Sequence, residues 1–508
     1  MLLNRRTFLS GTSASLLPLA TSAGGALAPV LDIRDFGCRG DGVTDDRGGF
    51  VRAVEASRAR GCPILVPAGT WLIEDRGIAL GGDPITLGSG TTLIGEGANS
   101  VLRFRRRSHP AFYGIGLAGA GIAISDITLE VENGGGSWTA AAAAIELCSQ
   151  LAFTRVRFRG LGARAGNYGF LPLSSDIDGL AFINCRFEDL ELGISKQTND
   201  VSTQTNILME DCSGQRCTEV AEFNSPGLFA GEIRSGSAEV LKLNDSAGGR
   251  FDARSLRKGM LIRSIHLPPG TRIASIEGPD HVRFDRPALS GSNRAGARFS
   301  AGGCSSGKIS RLNVTDIDQW GVGFANCDDW DVEVQGGNIG YELVHIEDAC
   351  RNFNVSAAGS RCNLRPGVVG SPGAENGMVH VSTGSHHISV DLRDVDLRGG
   401  ALRGRSAICV QAGGQMGTTG IEIGPHDISV SGRVLLERDS LGVIGYQSSI
   451  EFTGLELVNV DPRSRADPML KLGLTNTSGH LRVRNPGRNI VARLGGGEHR
   501  ARIEILQD

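Results

Sequence analysis

Aromatic residues are scarce: Phe, Tyr and Trp make up 5% of the 508 residues, with only four Trp and four Tyr. So little stacking surface disfavours a protein built to hold single-stranded nucleic acid. An excess of one charge is missing too. Fifty-two Lys and Arg against 55 Asp and Glu leave a formal charge of −3, which sets up no strong field for a polyanion. None of the eleven cysteines forms a CxxC pair, so no zinc site is expected and no metal or cofactor is assigned. Past the N-terminus no apolar run reaches the ~18–20 residues that cross a bilayer. There is no G-X-Y period, which excludes collagen.

Glycine is abundant, at 73 residues, about twice its usual share. With 40% hydrophobic and 21% charged residues the chain has enough apolar surface for a core. It is too long for one ordinary domain, so it holds several domains or one elongated repeat. The beginning reads as an address. Residues 4–10, NRRTFLS, place paired arginines (Arg5, Arg6) before a mildly apolar Ser/Ala/Gly stretch, and this resembles a twin-arginine export signal. Cleavage after Ala23 or after Ala28 fits equally. Residues 1–28 are therefore set aside as a signal peptide, and a periplasmic or secreted location is expected.

The cysteines all follow that segment and are odd in number. Cys148, Cys185, Cys212, Cys327 and Cys350 recur at similar places in similar short segments, as small buried residues of a repeat do. Cys212 and Cys217 form the one close pair that invites a disulfide.

In residues 31–73, Thr44, Asp45 and Asp46 are good helix-start residues. Phe50, Val51, Ala53 and Val54 then share a helical face, and Gly61 ends the helix. Short strands follow at Ile64–Val66 and Trp71–Ile73. A helix in this place covers the open end of a β stack. From about Leu93 onward, short alternating strands recur between Gly, Asn and Asp. GVGFANCDDWDVEV (321–334), LVHIEDACRNFNV (343–355) and MVHVSTGSHHISV (378–390) align well. Alternation this short, at irregular periods of ~20–35 residues, marks the coils of a parallel β-helix. A sandwich shows longer strands joined by tight hairpins, and a propeller repeats more regularly.

The opening DFGCRGDGVTDD…ILVPAGTWLI is similar to the N-terminal signature of the pectate-lyase-like right-handed β-helix superfamily. The resemblance implies an all-β, right-handed parallel β-helix with a short N-terminal capping helix, and a carbohydrate ligand. Relatives include polygalacturonase-type hydrolases, polysaccharide lyases, epimerases, fructan-processing transferases and tailspike depolymerases, and several are homotrimers. One fold with so many chemistries does not fix the reaction. The expected organisation is a signal (1–28), cap and first coils (29–236), a small inserted β domain (237–303), and the remaining coils (304–508). The insert is expected from its LPPG and EGPD turns. Its basic residues Arg250, Arg254, Arg257, Lys258 and Arg263 are expected on solvated surface.

The chemistry is sought on the strands. Equivalent residues of a parallel β-helix stack ~4.8 Å apart, and alternate residues point outward. With Val344, Ile346, Val379 and Val381 inward, His345 and His380 fall in one outward column and Glu347 and Ser382 in the next. VAEFN (220–224) adds Glu222 and Asn224 to these columns, Gly323 leaves an open floor between Glu222 and His345, and Cys409 and Gln411 continue them. Glu222, Glu347, His345 and His380 are therefore the expected catalytic cluster, exposed, with Glu222 roughly 10 Å from His345. Paired carboxylates at such distances suit glycosidic hydrolysis, whereas a histidine base suits elimination from a uronate. Asn224, Ser382, Lys196 and Trp320 are the expected substrate-binding residues. A solvated polar ladder is the competing explanation for the cluster. Asp176, Asp178, Asp328 and Asp329 are expected to cap turns. The chain lacks the GHG and RIK motifs of polygalacturonase-type hydrolases, so their residues are not transferred. The expected function is cleavage of an extended polysaccharide, by hydrolysis ahead of elimination or transfer. A non-catalytic polysaccharide-binding β-helix is the other class, disfavoured by the poor supply of aromatics.

Overall fold

The computed structural model describes residues 29–506, apart from 76–83, 196–201, 246–252, 363–376, 399–405, 413–423, 461–468 and a few isolated one- or two-residue positions. The expected signal peptide lies outside the described residues. The α-helix Arg47–Arg60 begins after Asp46 and stops at Gly61, whose φ of 65° is left-handed and whose N–H reaches Ser57 O. Asp46 does not cap with its side chain. Its carboxylate instead accepts the amides of Arg39 and Gly40, tying the preceding turn down. Phe50, Ala53 and Val54 turn inward and close the end of the core. No helix among the described residues is long and apolar enough to cross a membrane.

Beyond the helix the chain winds as a parallel β-helix. Each strand bonds in parallel to the equivalent strand of the next coil, building one 34-stranded parallel ladder among the described residues. Apolar residues of the same position stack along it. Phe153 pairs with Phe182 and Phe158 with Phe187, their rings parallel and 5.0 and 5.1 Å apart, close to the ~4.8 Å strand spacing. Turns between strands place Asn184, Asp211, Asn326 and Asp348 at positive φ, a region these short polar side chains tolerate.

All eleven cysteines are buried. Cys212 and Cys217 do not form the disulfide their spacing invites. Each thiol lies under a different rung, donating to Phe182 O and to Phe187 O respectively.

A second, six-stranded antiparallel sheet interrupts the ladder, with its own core around Phe229, Val240, Phe284 and Phe299. Its first strand is Gly227–Ile233, bonded to its last, Arg294–Ala301. The insert thus starts at 227 rather than 237, because the segment before 237 pairs within it. The ladder closes across the gap: Thr203 pairs with Gly303 and Ala221 with Val322. Of the insert's arginines expected on solvated surface, Arg257 is exposed but paired, and Arg263 is largely buried. Arg257 pairs with Asp176 at 2.5 Å, and Arg263 pairs with Asp328. Asp328 also receives Arg351 at 3.2 Å and is 2% exposed, so it anchors the insert rather than capping a turn. Asp178 is exposed and accepts Thr205 and Asn206 from the next coil.

Candidate active site

Five successive strands carry the site: β1 (Glu219–Asn224), β2 (Val322–Ala325), β3 (Val344–Glu347), β4 (Gly377–Ser382) and β5 (Ser406–Gln411). Their register is Glu222 to Gly323, Gly323 to His345, His345 to His380 and His380 to Cys409. Val322, Phe324, Val344, Ile346, Val379 and Val381 fill the core, so the intervening residues share the outer face. In the neighbouring column Asn224 pairs with Ala325, Ala325 with Glu347, and Ser382 with Gln411. A side chain at Gly323 would meet only Glu222, at 3.7 Å from its Cγ; the floor between Glu222 and His345 is open.

The two histidines of the cluster are not exposed, contrary to the expectation for an outer column, whereas Glu222 and Glu347 are half-buried. His345 is 5% and His380 7% accessible, and Ser382 is buried as well. The reason lies just before β3. Leu343 and Val344 are consecutive yet both belong to the core, so the inside–outside alternation changes phase there. Residues on either side of that corner converge. Glu342 turns in, fully buried, and the indole of Trp320 stacks on the His345 ring at 4.9 Å and 23°. One face of Trp320 is thereby spent on His345 rather than offered as a free platform. Lys196 lies outside the described residues.

Hydrogen bonds order the rest. His345 Nε2 lies 3.2 Å from Glu347 Oε2, and Asn224 Nδ2 donates to Glu222 Oε1 at 3.4 Å. His345 and His380 meet edge to face at 5.1 Å. His345 Nδ1 and His380 Nδ1 both look toward Glu342, at 3.9 and 3.5 Å. Burial raises the pKa of Glu222, the Asn224 bond opposes the rise, and the Glu347 carboxylate adds to it. Burial alone would raise Glu347 as well, but the His345 imidazole beside it wins and lowers it. Burial alone would lower His345; the Glu347, Glu342 and Glu219 carboxylates around it hold it up, at about 9. The site therefore contains two carboxyl groups pushed in opposite directions, the pattern that separates a proton donor from an acceptor.

Glu219 and Glu342 were not among the expected residues. A strict period of two places Glu342 in phase with Val344 and Ile346, on the inside, and only the corner at Leu343–Val344 releases it. Glu219 sits equally early on β1. Burial, and then the charge of Glu222, push its carboxyl up to about 9, so it is protonated at neutral pH. Its raised pKa has a sign that can be checked. Between the unfolded value near 4.5 and the folded value, the unfolded chain holds fewer protons than the folded one. Glu219 thus favours folding below about pH 4.5, and that contribution falls away as pH rises toward 9, by at most ~1.4 kcal/mol per pH unit. Glu219→Gln is expected to flatten this decline. Thermal unfolding of both proteins across pH 5–9 measures it, and parallel pH profiles would contradict a protonated Glu219.

Residues 30–215 match the family model described as "Rhamnogalacturonase A/epimerase, pectate lyase-like". The match holds the cap and the first coils and ends before β1, so it does not reach the Glu222–His380 cluster. The pre-neck appendage protein of Bacillus phage phi29 is 35% identical over 74 residues, 15% of this chain and 7% of that protein. Among solved structures, a mannuronan C-5 epimerase A-module of Azotobacter vinelandii covers 94% of this chain and 99% of its own, at 12% identity and TM-score 0.28. The N-terminal fragment of bacteriophage phi29 gene product 12 covers 93% and 72%, at 14% identity and TM-score 0.45.

Proposed function

We propose that this chain, which belongs to the pectate-lyase-like parallel β-helix superfamily, is a carbohydrate-active enzyme that hydrolyses glycosidic bonds of an extended polysaccharide. One observation carries the reading. Glu222 and Glu347 stand in neighbouring outer columns on opposite sides of Gly323, where the absent side chain leaves room for a sugar. Glu222, whose carboxyl burial keeps protonated to higher pH, is the proton donor to the leaving oxygen. Glu347, oriented by its bond to His345, activates water or attacks the anomeric carbon. His345 and His380 are too enclosed to touch a polymer along their whole rings, so they act as positioning residues. Asn224 fixes the Glu222 carboxyl. The family description, with its rhamnogalacturonase and epimerase, supports a carbohydrate ligand for the first coils.

Incubation of the mature protein with a panel of bacterial and plant polysaccharides tests this. Hydrolysis releases reducing ends alone; elimination releases them together with the ultraviolet absorbance of an unsaturated uronate. Binding without cleavage would assign the protein to the non-catalytic class.

Export through the twin-arginine route belongs to the same proposal, because a substrate of this size is met outside the cytoplasm. Replacing Arg5 and Arg6 together by Lys is expected to retain the protein in the cytoplasm, since the pair is read by a receptor rather than by charge. Unchanged export in a fractionation experiment would contradict it.

A further inference from the structure

Glu342 presents a problem that its protein neighbours solve only in part, through the charge of His345 and without a hydrogen bond. Its side chain is 0% exposed, and neither carboxylate oxygen receives a hydrogen bond. An ionised carboxylate buried in this way costs several kcal/mol unless a cation compensates it. The two imidazoles that face it do so with Nδ1, at 3.9 and 3.5 Å, and neither Nδ1 is hydrogen-bonded. These distances are too long for good hydrogen bonds. Both Nε2 atoms, by contrast, are engaged away from Glu342: His345 with Glu347 at 3.2 Å, and His380 with the Gln411 amide at 3.4 Å. Each imidazole is thus anchored through one nitrogen and turns the other toward the same buried carboxylate.

That is the arrangement of metal-ligating histidines, whose second ring nitrogen is held by an outer carboxylate or amide that fixes the tautomer. With a metal bound, hydrogen on Nε2 would leave each Nδ1 lone pair free to ligate: at His345 that hydrogen points to Glu347, and at His380 it requires the Gln411 amide, whose nitrogen faces Nε2, to turn its oxygen there instead. The three candidate donor atoms lie within 4.8 Å of one another. Metal–ligand bonds of about 2.0–2.2 Å in a tetrahedral site put neighbouring donors roughly 3.3–3.6 Å apart; His380 Nδ1 is at that distance from Glu342 Oε1, and His345 Nδ1 is a few tenths of an ångström beyond it from Oε2. Two imidazoles and one carboxylate suit zinc and its first-row neighbours, whereas calcium and magnesium take oxygen ligands. The coil geometry supplies the rest. Glu342 and His345 flank the corner on one coil, His380 follows in register on the next, and Trp320 covers the His345 ring.

We propose that Glu342, His345 and His380 bind one divalent transition-metal ion of the zinc class. Three protein ligands leave a further position for water or a substrate oxygen, and Glu347 and Gln411 form the outer support. The proposal does not depend on the assignment of Glu222 and Glu347 as an acid–base pair, because its test reads bound metal rather than turnover.

The full-length mature protein, purified, stripped with chelator and dialysed, would be titrated with Zn²⁺ by calorimetry, and in parallel with Co²⁺ for the visible absorption of a ligand-bound ion. The expected result is about one equivalent bound per chain, with a higher Tm in the presence of Zn²⁺. Glu342→Gln and His380→Ala should each abolish tight binding. Gln411→Ala, which removes no ligand, should weaken it by roughly 10–100-fold. If a ligand variant does not fold, the wild-type stoichiometry and the Gln411 variant still decide. Absence of stoichiometric binding to the wild-type protein would overturn the proposal. So would binding that all three substitutions leave unchanged, since the ion would then sit elsewhere.

Discussion

Replacing Glu222 or Glu347 by Gln is expected to lower polysaccharide turnover by ~10² or more in each case, with the fold intact. Gln has nearly the shape of Glu and keeps a hydrogen-bonding end, so the bonds to Asn224 and His345 keep a partner. What it loses is the transferable proton at Glu222 and the ionisable oxygen at Glu347. A bulky residue at Gly323 should have a similar effect by a different route. The first carbon fits, with 3.7 Å to Glu222, but Gly323→Leu fills the floor on which the sugar is placed. Initial rates together with circular dichroism measure both effects. Full activity in either glutamine variant would remove that residue from the reaction.

The second large effect concerns stability and lies away from the cluster. Asp328→Asn is expected to destabilise the protein by about 3 kcal/mol, because it leaves buried guanidinium groups without their counter-charge. The side chains of Asp328, Arg263 and Arg351 are 3%, 10% and 19% exposed, so water cannot replace the lost partner well. Arg263 belongs to the insert and Arg351 to the coils, and Asp328 joins them. Loosening should therefore begin at the insert. Limited proteolysis should cut within 227–301 before the coils, and thermal unfolding should start at a lower temperature. A variant with wild-type Tm and wild-type protease resistance would show that the insert is held by its apolar contacts alone.

Most of the architecture was legible because a parallel β-helix writes its coils into the sequence as alternation. Val344 and Ile346 against Val379 and Val381 were enough to set the register of β3 on β4. The register also held across the insert, where Phe223 stacks on Phe324, since the chain leaves and rejoins the ladder in phase. Side-chain exposure was not legible. An outward residue on a strand is exposed only if nothing folds over it; the corner at Leu343–Val344 turns Glu342 toward His345, and Trp320 of the coil before stacks on its ring. The role of Asp328 was hidden for a related reason. Its partner Arg263 is 65 residues away in sequence, and no local pattern announces a contact between an inserted sheet and a coil. The Cys212–Cys217 pair misled in the opposite direction: sequence proximity in a strand–turn–strand segment places the two thiols under different rungs.

The central claim is that Glu222 and Glu347 add water across a glycosidic bond. Cleavage of a susceptible polysaccharide in oxygen-18-labelled water, followed by mass spectrometry of the fragments, tests it most directly. The account predicts one labelled oxygen at each new reducing end with the wild-type protein, and labelled product formed ~10²-fold or more slowly with Glu222→Gln. Fragments that carry no label and end in an unsaturated sugar would contradict it, and so would labelled fragments produced at an undiminished rate by the variant.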